Sequence, residues 1–152
     1  MVPNYGAVAA EGNSGGPKHT PIVRINFTAM LLWIGLGGAA GSILRYLFGS
    51  LVQRSAGMPF PIGTLAVNVV GCFIMGLLAQ HYMNSQTSPQ MRVALMTGFC
   101  GGFTTFSAFS METVGLMRGG EYGRSVAYVV LSVTLSIPVS YTHLTLPTNR
   151  EV

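Results

Sequence analysis

Four stretches of the chain carry no Asp, Glu, Lys or Arg: residues 25–44, 55–91, 93–111 and 125–149. A helix rises about 1.5 Å per residue, so roughly 20 apolar residues cross the ~30 Å hydrocarbon core of a bilayer. Each stretch offers most or all of that length, and the pattern predicts four spanning helices. The first is expected over residues 29–52. Met58-Pro59-Phe60-Pro61 follows it, and prolines so placed end one helix and admit the next at its first turn. The second helix is then expected over residues 62–83, a polar connection with Pro89 over 84–90, and a third apolar span over 91–117.

The middle of the third span reads Thr97-Gly98-Phe99-Cys100-Gly101-Gly102-Phe103-Thr104-Thr105, where a plain spanning helix would carry Leu and Val. A break is expected there. Backbone groups freed at membrane depth are tolerated only where protein or a water-filled cavity satisfies them, so a break marks a candidate ligand site. A fourth helix is expected from near Ser125, but from Pro138 the chain reads Pro-Val-Ser-Tyr-Thr-His-Leu-Thr-Leu-Pro-Thr, with no helical apolar face. Residues 125–137 would cover only about 20 Å. The string resembles a translated sequencing-library adapter, so residues 138–152 are expected to be a non-native tail that cuts the natural helix near Ile137. Residues 1–28, rich in Gly, Pro, Asn and Ser, are expected to be a disordered extension without the basic and apolar regions of a signal peptide. Translation from Met30 would leave every motif in place.

Composition agrees with a membrane protein: 49% of the 152 residues are hydrophobic and 8% charged, against about a quarter charged in a soluble domain. The net charge of +4 comes from basic residues scattered singly, with no stripe for nucleic acid. Cys72 and Cys100 lie in apolar, glycine-rich segments and read as core residues. His19, His81 and His143 have no partner at ligand spacing, which argues against a zinc or triad site. Arg92 stands against Arg54, Arg118 and Arg124 on the other side, so no strong positive-inside bias emerges and either orientation is admissible.

Gly35-Leu36-Gly37-Gly38-Ala39-Ala40 matches a dinucleotide pattern on paper, yet no strand precedes it and no acid lies between Glu11 and Glu112. Gly37, Gly41 and Arg45 share one helix face, and the glycines suit close helix contact and an oligomer. Asn68 lies mid-span, where its amide must find a partner, either another helix or an anion. Phe106 and Phe109, three apart, share a face with Ser107 and Ser110 close by. Such rings are ordinarily core, but their positive edges, with hydroxyl and amide donors, can replace water around a small anion without a trapping cation. Tyr128, Ser132 and Ser136 recur every four residues as one hydroxyl stripe, either helix glue or a polar track. Glu112 and Arg45 mark a pathway or vestibule, or snorkel.

Gly98-Phe-Cys-Gly-Gly-Phe-Thr-Thr-Phe-Ser-Ala-Phe-Ser110 with Glu112, Gly63-Thr-Leu-Ala-Val-Asn68-Val-Val-Gly71 and Gly37-Gly-Ala-Ala-Gly-Ser-Ile-Leu-Arg45-Tyr46 together resemble the CrcB/Fluc family of fluoride channels. The resemblance covers residues 31–137 and makes residues 29–137 a four-helix channel domain. It implies an all-α, multi-pass protein of the cell inner membrane or plasma membrane, with its third helix broken. The assembly implied is an antiparallel, dual-topology homodimer that passes fluoride out of the cytoplasm down its gradient. By position in the motifs, Phe106 and Phe109 would be the pore phenylalanines and Asn68 the pore asparagine, with Ser107 beside them. Tyr128, Ser132 and Ser136 would belong to the hydroxyl-lined route, and Arg45 to a vestibule. Gly101 and Thr104 would give backbone carbonyls to a structural sodium ion at the dimer interface.

Two other classes compete with a passive channel. A proton-coupled exporter of small cations needs a membrane-embedded acid, for which Glu112 is the candidate. A packing protein would explain the glycines but not the donor-rich set of Asn68, Phe106, Phe109 and Ser132.

Overall fold

The computed structural model describes residues 27–83 and 87–145, with side chains to residue 141. All the regular structure among them is helical. Helix α1 (Phe27–Ala56) and α2 (Ile62–Met83) are followed by α3 (Pro89–Val93), a π-helical segment (Ala94–Cys100) and α4 (Gly101–Phe103). Helices α5 (Phe106–Arg118) and α6 (Tyr122–Thr145) complete the described residues. Among the described residues, four spans are long and apolar enough to cross a membrane: α1, α2, the run Pro89–Arg118 and residues Tyr122–Tyr141 of α6. The chain is a multi-pass membrane protein.

Local signals set the helix ends. Gly57, with φ +60°, takes the left-handed position that ends α1, and Pro61 then opens α2, with its carbonyl accepting from the Leu65 N–H at 3.3 Å. Ser88 caps α3 by accepting from the Met91 N–H, with Pro89 at the first helical position. Gly119 and Gly120 close α5, and Glu121 N–H donates to the Leu116 carbonyl at 2.9 Å.

The small residues of α1 are used inside the chain. A Cβ on Gly37 would strike the Ala94 carbonyl oxygen, and one on Gly41 the Phe99 carbonyl oxygen. Only residues without a side chain let α1 lie backbone to backbone on the π segment, a contact made of dispersion between close-packed atoms. That contact also explains the third span. Gly98, Gly101 and Gly102 stay helical, and the residues that leave helical geometry are Thr104 and Thr105. Gly98 and Gly102 serve the approach of α1, whereas nothing lies within 4 Å of a Cβ on Gly101; the interruption falls on the threonines that follow.

Helix α6 differs from the expectation of an end near Ile137. It runs through Pro138 to Thr145. Proline costs one hydrogen bond, here to the Thr134 carbonyl, and a membrane helix accepts that loss where neighbouring groups hold the turn. Ser140 Oγ does so, bonding to the carbonyls of Cys72 on α2 (3.2 Å) and Ser136 (3.1 Å). A Cβ on Gly76 would lie 2.9 Å from the Ser140 carbonyl oxygen, so α2 leaves room for this segment to lie close. Residues 138–145 therefore continue the helix. Residues 1–26 and 146–152, most of the expected extension and the end of the expected tail, lie outside the described residues.

Candidate functional site

Thr104 (φ −76°, ψ 156°) and Thr105 (φ −149°, ψ 112°) are extended, so their backbone groups need partners other than a continuous helix. Asn68 on α2 supplies both for Thr105. Its Oδ1 accepts from the Thr105 N–H at 2.8 Å and its Nδ2 donates to the Thr105 carbonyl at 3.1 Å. Thr105 in turn caps α5, its hydroxyl accepting from the Ala108 N–H at 3.2 Å and bonding to Ser107 Oγ at 3.1 Å. Asn68→Leu is expected to leave two backbone groups unpaired at a cost of about 1–3 kcal/mol each. A lower melting temperature in detergent would follow, and an unchanged one would show the clamp to be dispensable.

Helix α5 starts directly after this clamp, which fixes its rings in space. Phe106 and Phe109 lie 5.4 Å apart at 46°, and Phe109 and Tyr128 5.2 Å apart at 49°. Phe60, from the α1–α2 connection, meets Tyr128 at 5.6 Å in a T-shaped pair. The rings form a ladder from the exposed Phe106 to Tyr128, which has no exposed surface. Tilted pairs of this kind present positive ring edges alongside the faces.

Glu112 joins three helices beside the ladder. Thr64 Oγ1 on α2 donates to its Oε1 and the Tyr128 hydroxyl on α6 to its Oε2, each at 2.7 Å. One turn beyond Tyr128, Ser132 Oγ is buried with no hydrogen-bond partner among the described residues. A buried hydroxyl without a partner carries a desolvation penalty that a ligand able to accept its proton would relieve. A cavity of about 700 Å³ reaches Glu112 and Thr64 and is also lined by Arg45, Arg54, Thr105 and Ser107, among others. A second, of about 380 Å³, is lined by Gln53, Phe60, Glu112 and Glu121. Glu121 is paired with Arg124 across one helical turn.

Most of the residues singled out in the sequence are thus brought together. Phe106, Phe109 and Tyr128 form the ladder, Ser132 continues it, Ser107 and Arg45 line the larger cavity, and Asn68 holds the backbone beneath. Ser136 lies one turn further along, its carbonyl accepting from Ser140. Gly101 is exposed. The amides that would cap the Gly101 and Thr104 carbonyls in a continuous helix, those of Thr105 and Ala108, donate instead to Asn68 Oδ1 and Thr105 Oγ1. Two partners are not singled out by the sequence pattern: Thr64, within the segment Gly63–Gly71, and Phe60, between Pro59 and Pro61.

Comparison with known proteins identifies the family to which this fold belongs. Residues 32–143 match the family of CrcB-like proteins, described as Camphor Resistance (CrcB). The chain belongs to the CrcB family. Relatives include proteins named fluoride-specific ion channel FluC from several bacteria. That of Rhizobium meliloti (strain 1021) is 48% identical over 117 residues, 76% of this chain and 94% of the relative. That of Sulfurovum sp. (strain NBC37-1) is 46% identical over 108 residues, 71% and 85% of the two. That of Chlorobium phaeobacteroides (strain BS1) is 45% identical over 114 residues, 74% and 88%. The match to the CrcB family runs through Pro138 to residue 143, as α6 does. CrcB relatives of this kind are channels by name, and the family is non-enzymatic.

Proposed function

We propose that this chain is a fluoride-specific channel that lets fluoride leave the cytoplasm passively. The observation that carries the reading is the ladder Phe106–Phe109–Tyr128 ending at the buried, unpartnered hydroxyl of Ser132. A small, strongly hydrated anion leaves water only where donors replace its shell, and it moves on only where no single site holds it too firmly. Ring edges and neutral hydroxyls meet both needs. Asn68 and Ser107 stand beside the start of the ladder, Ser136 beyond its end, and Arg45 lines the larger cavity.

The working unit is an antiparallel, dual-topology homodimer. Phe106 is 79% exposed in one chain, and Leu32, Leu36, Ile43 and Leu47 of α1 are exposed as well. A second copy covering the ring would turn an open ladder into an enclosed pore. A structural sodium ion at the same interface would be held by the carbonyls of Gly101 and Thr104. These residues fit a hard cation, because their oxygens have given up their helical partners at the interruption. When bound, the ion would neutralise carbonyl dipoles gathered from the two copies.

A proton-coupled cation exporter is not favoured. Its essential acid would be Glu112, and both of that carboxylate's oxygens are engaged by Thr64 and Tyr128. The full chain reconstituted in liposomes is expected to release loaded fluoride rapidly and chloride not at all. Chloride release at a similar rate, or no fluoride release, would overturn the reading. Preparing the same liposomes with N-methylglucamine in place of sodium tests the cation, with loss of the dimer expected.

A further inference from the structure

Phe60 lies in the connection between α1 and α2, and its position is set from several directions at once. Pro59 and Pro61 restrict the backbone on either side. Gln53 commits its whole side-chain amide to this turn. Its Nε2 donates to the carbonyls of Met58 and Phe60, each at 3.0 Å, while its Oε1 accepts from the Gly63 N–H at 3.0 Å. The Phe60 carbonyl also accepts from the Ile62 N–H at 2.7 Å.

From this base the Phe60 ring reaches Tyr128, meeting it at 5.6 Å and 84°. Phe109 touches the same tyrosine at 5.2 Å. Tyr128 is thereby fully buried, with its hydroxyl on Glu112. Phe60 also lines the cavity of about 380 Å³ that reaches Glu112, so removing its ring would open the tyrosine to that space. Water entering there would compete for the phenol proton, and the ring would gain freedom to turn away from the carboxylate.

We propose that Phe60 is a positioning residue for the ion route, a loop aromatic that holds the Tyr128 hydroxyl on Glu112. The inference rests on the reading of Tyr128 as part of a fluoride pathway. A loop residue so firmly tied costs conformational entropy, and the contact with Tyr128 is the return the structure shows for it.

Fluoride efflux from liposomes, with the full chain, tests this in four variants. Phe60→Ala is expected to slow efflux roughly threefold to tenfold, the loss of about one aromatic pair, with elution of the protein unchanged. Phe60→Trp keeps a ring against Tyr128 and is expected to restore most of the rate. Tyr128→Phe removes the hydroxyl, and adding Phe60→Ala to it is expected to cost nothing more. Independent, multiplying losses in the double variant, or full efflux in Phe60→Ala, would overturn the proposal.

A second readout does not depend on transport. With tyrosine labelled at Cζ with carbon-13, the resonance that disappears in Tyr128→Phe is expected to move in Phe60→Ala and to return in Phe60→Trp. A resonance that stays in place would overturn the positioning role. Absence of fluoride efflux from the unaltered chain would instead strike at the channel reading, while the resonance would still decide the role of Phe60.

Discussion

Phe109→Leu is expected to cut fluoride efflux about a hundredfold, while the protein still elutes as the same assembly. Phe109 is the middle rung of the ladder, 5.4 Å from Phe106 and 5.2 Å from Tyr128. A hundredfold loss corresponds to about 2.8 kcal/mol on the barrier to ion movement, assigned here to the ring edges that leucine no longer offers in place of the ion's water. Leucine keeps a branched apolar side chain, so packing against α6 should survive. Efflux from liposomes and size-exclusion elution, measured on one preparation, separate the readings. Intact assembly with lost efflux supports a ring that serves the ion, whereas loss of the assembly would make Phe109 a packing residue and remove the main support for the pathway.

Gly41→Ala is expected to have the largest effect on folding of any single methyl added to α1. The new Cβ would meet the carbonyl oxygen of Phe99 at a distance real Cβ atoms do not show, and the Phe103 amide nitrogen lies 2.8 Å away. Both obstacles are backbone, so neither can swing aside as a flexible side chain would. Overpacking of this kind costs about 1–3 kcal/mol and sometimes more, and here it pushes apart the contact on which the π segment is laid. Gly35→Ala is the control on the same helix: nothing lies within 4 Å of its Cβ position. There alanine should stabilise slightly, by roughly 1 kcal/mol or less. Melting in detergent should fall sharply for Gly41→Ala and hold or rise for Gly35→Ala. Equal behaviour of the two would mean that α1 does not pack through Gly41.

The glycine-rich part of the third span carries a local signal with two structural meanings. Small residues at membrane depth raise the expectation of a break within residues 97–105. Yet a glycine weakens a helix on its own and also permits another helix to come near, and local sequence does not say which use is made of it. Here Gly98 and Gly102 face α1, each with α1 backbone within 3.0 Å of its Cβ position. That packing keeps them helical, and the interruption moves to Thr104 and Thr105. Pro138 illustrates the converse. Local rules give it a strong tendency to end α6, and the helix continues because Ser140 and Gly76 bind the next turn to α2.

What was legible in one dimension was whatever recurs along one helix. Charge-free length marked the four spans, since an ionised side chain is costly in hydrocarbon over a known thickness. Four-residue spacing placed Tyr128, Ser132 and Ser136 on one stripe, and three-residue spacing placed Phe106 beside Phe109, because a turn holds 3.6 residues. Which stripes face each other is not written in any of these periods. Glu112 meets Thr64 from 48 positions away, and Asn68 meets Thr105 from 37. The tertiary structure alone made Asn68 the clamp of an extended backbone, left the Ser132 hydroxyl without a partner among the described residues, and brought Phe60 onto Tyr128. Each outcome depends on how whole helices settle against one another, a choice made by the summed packing of backbone and side chains over several spans.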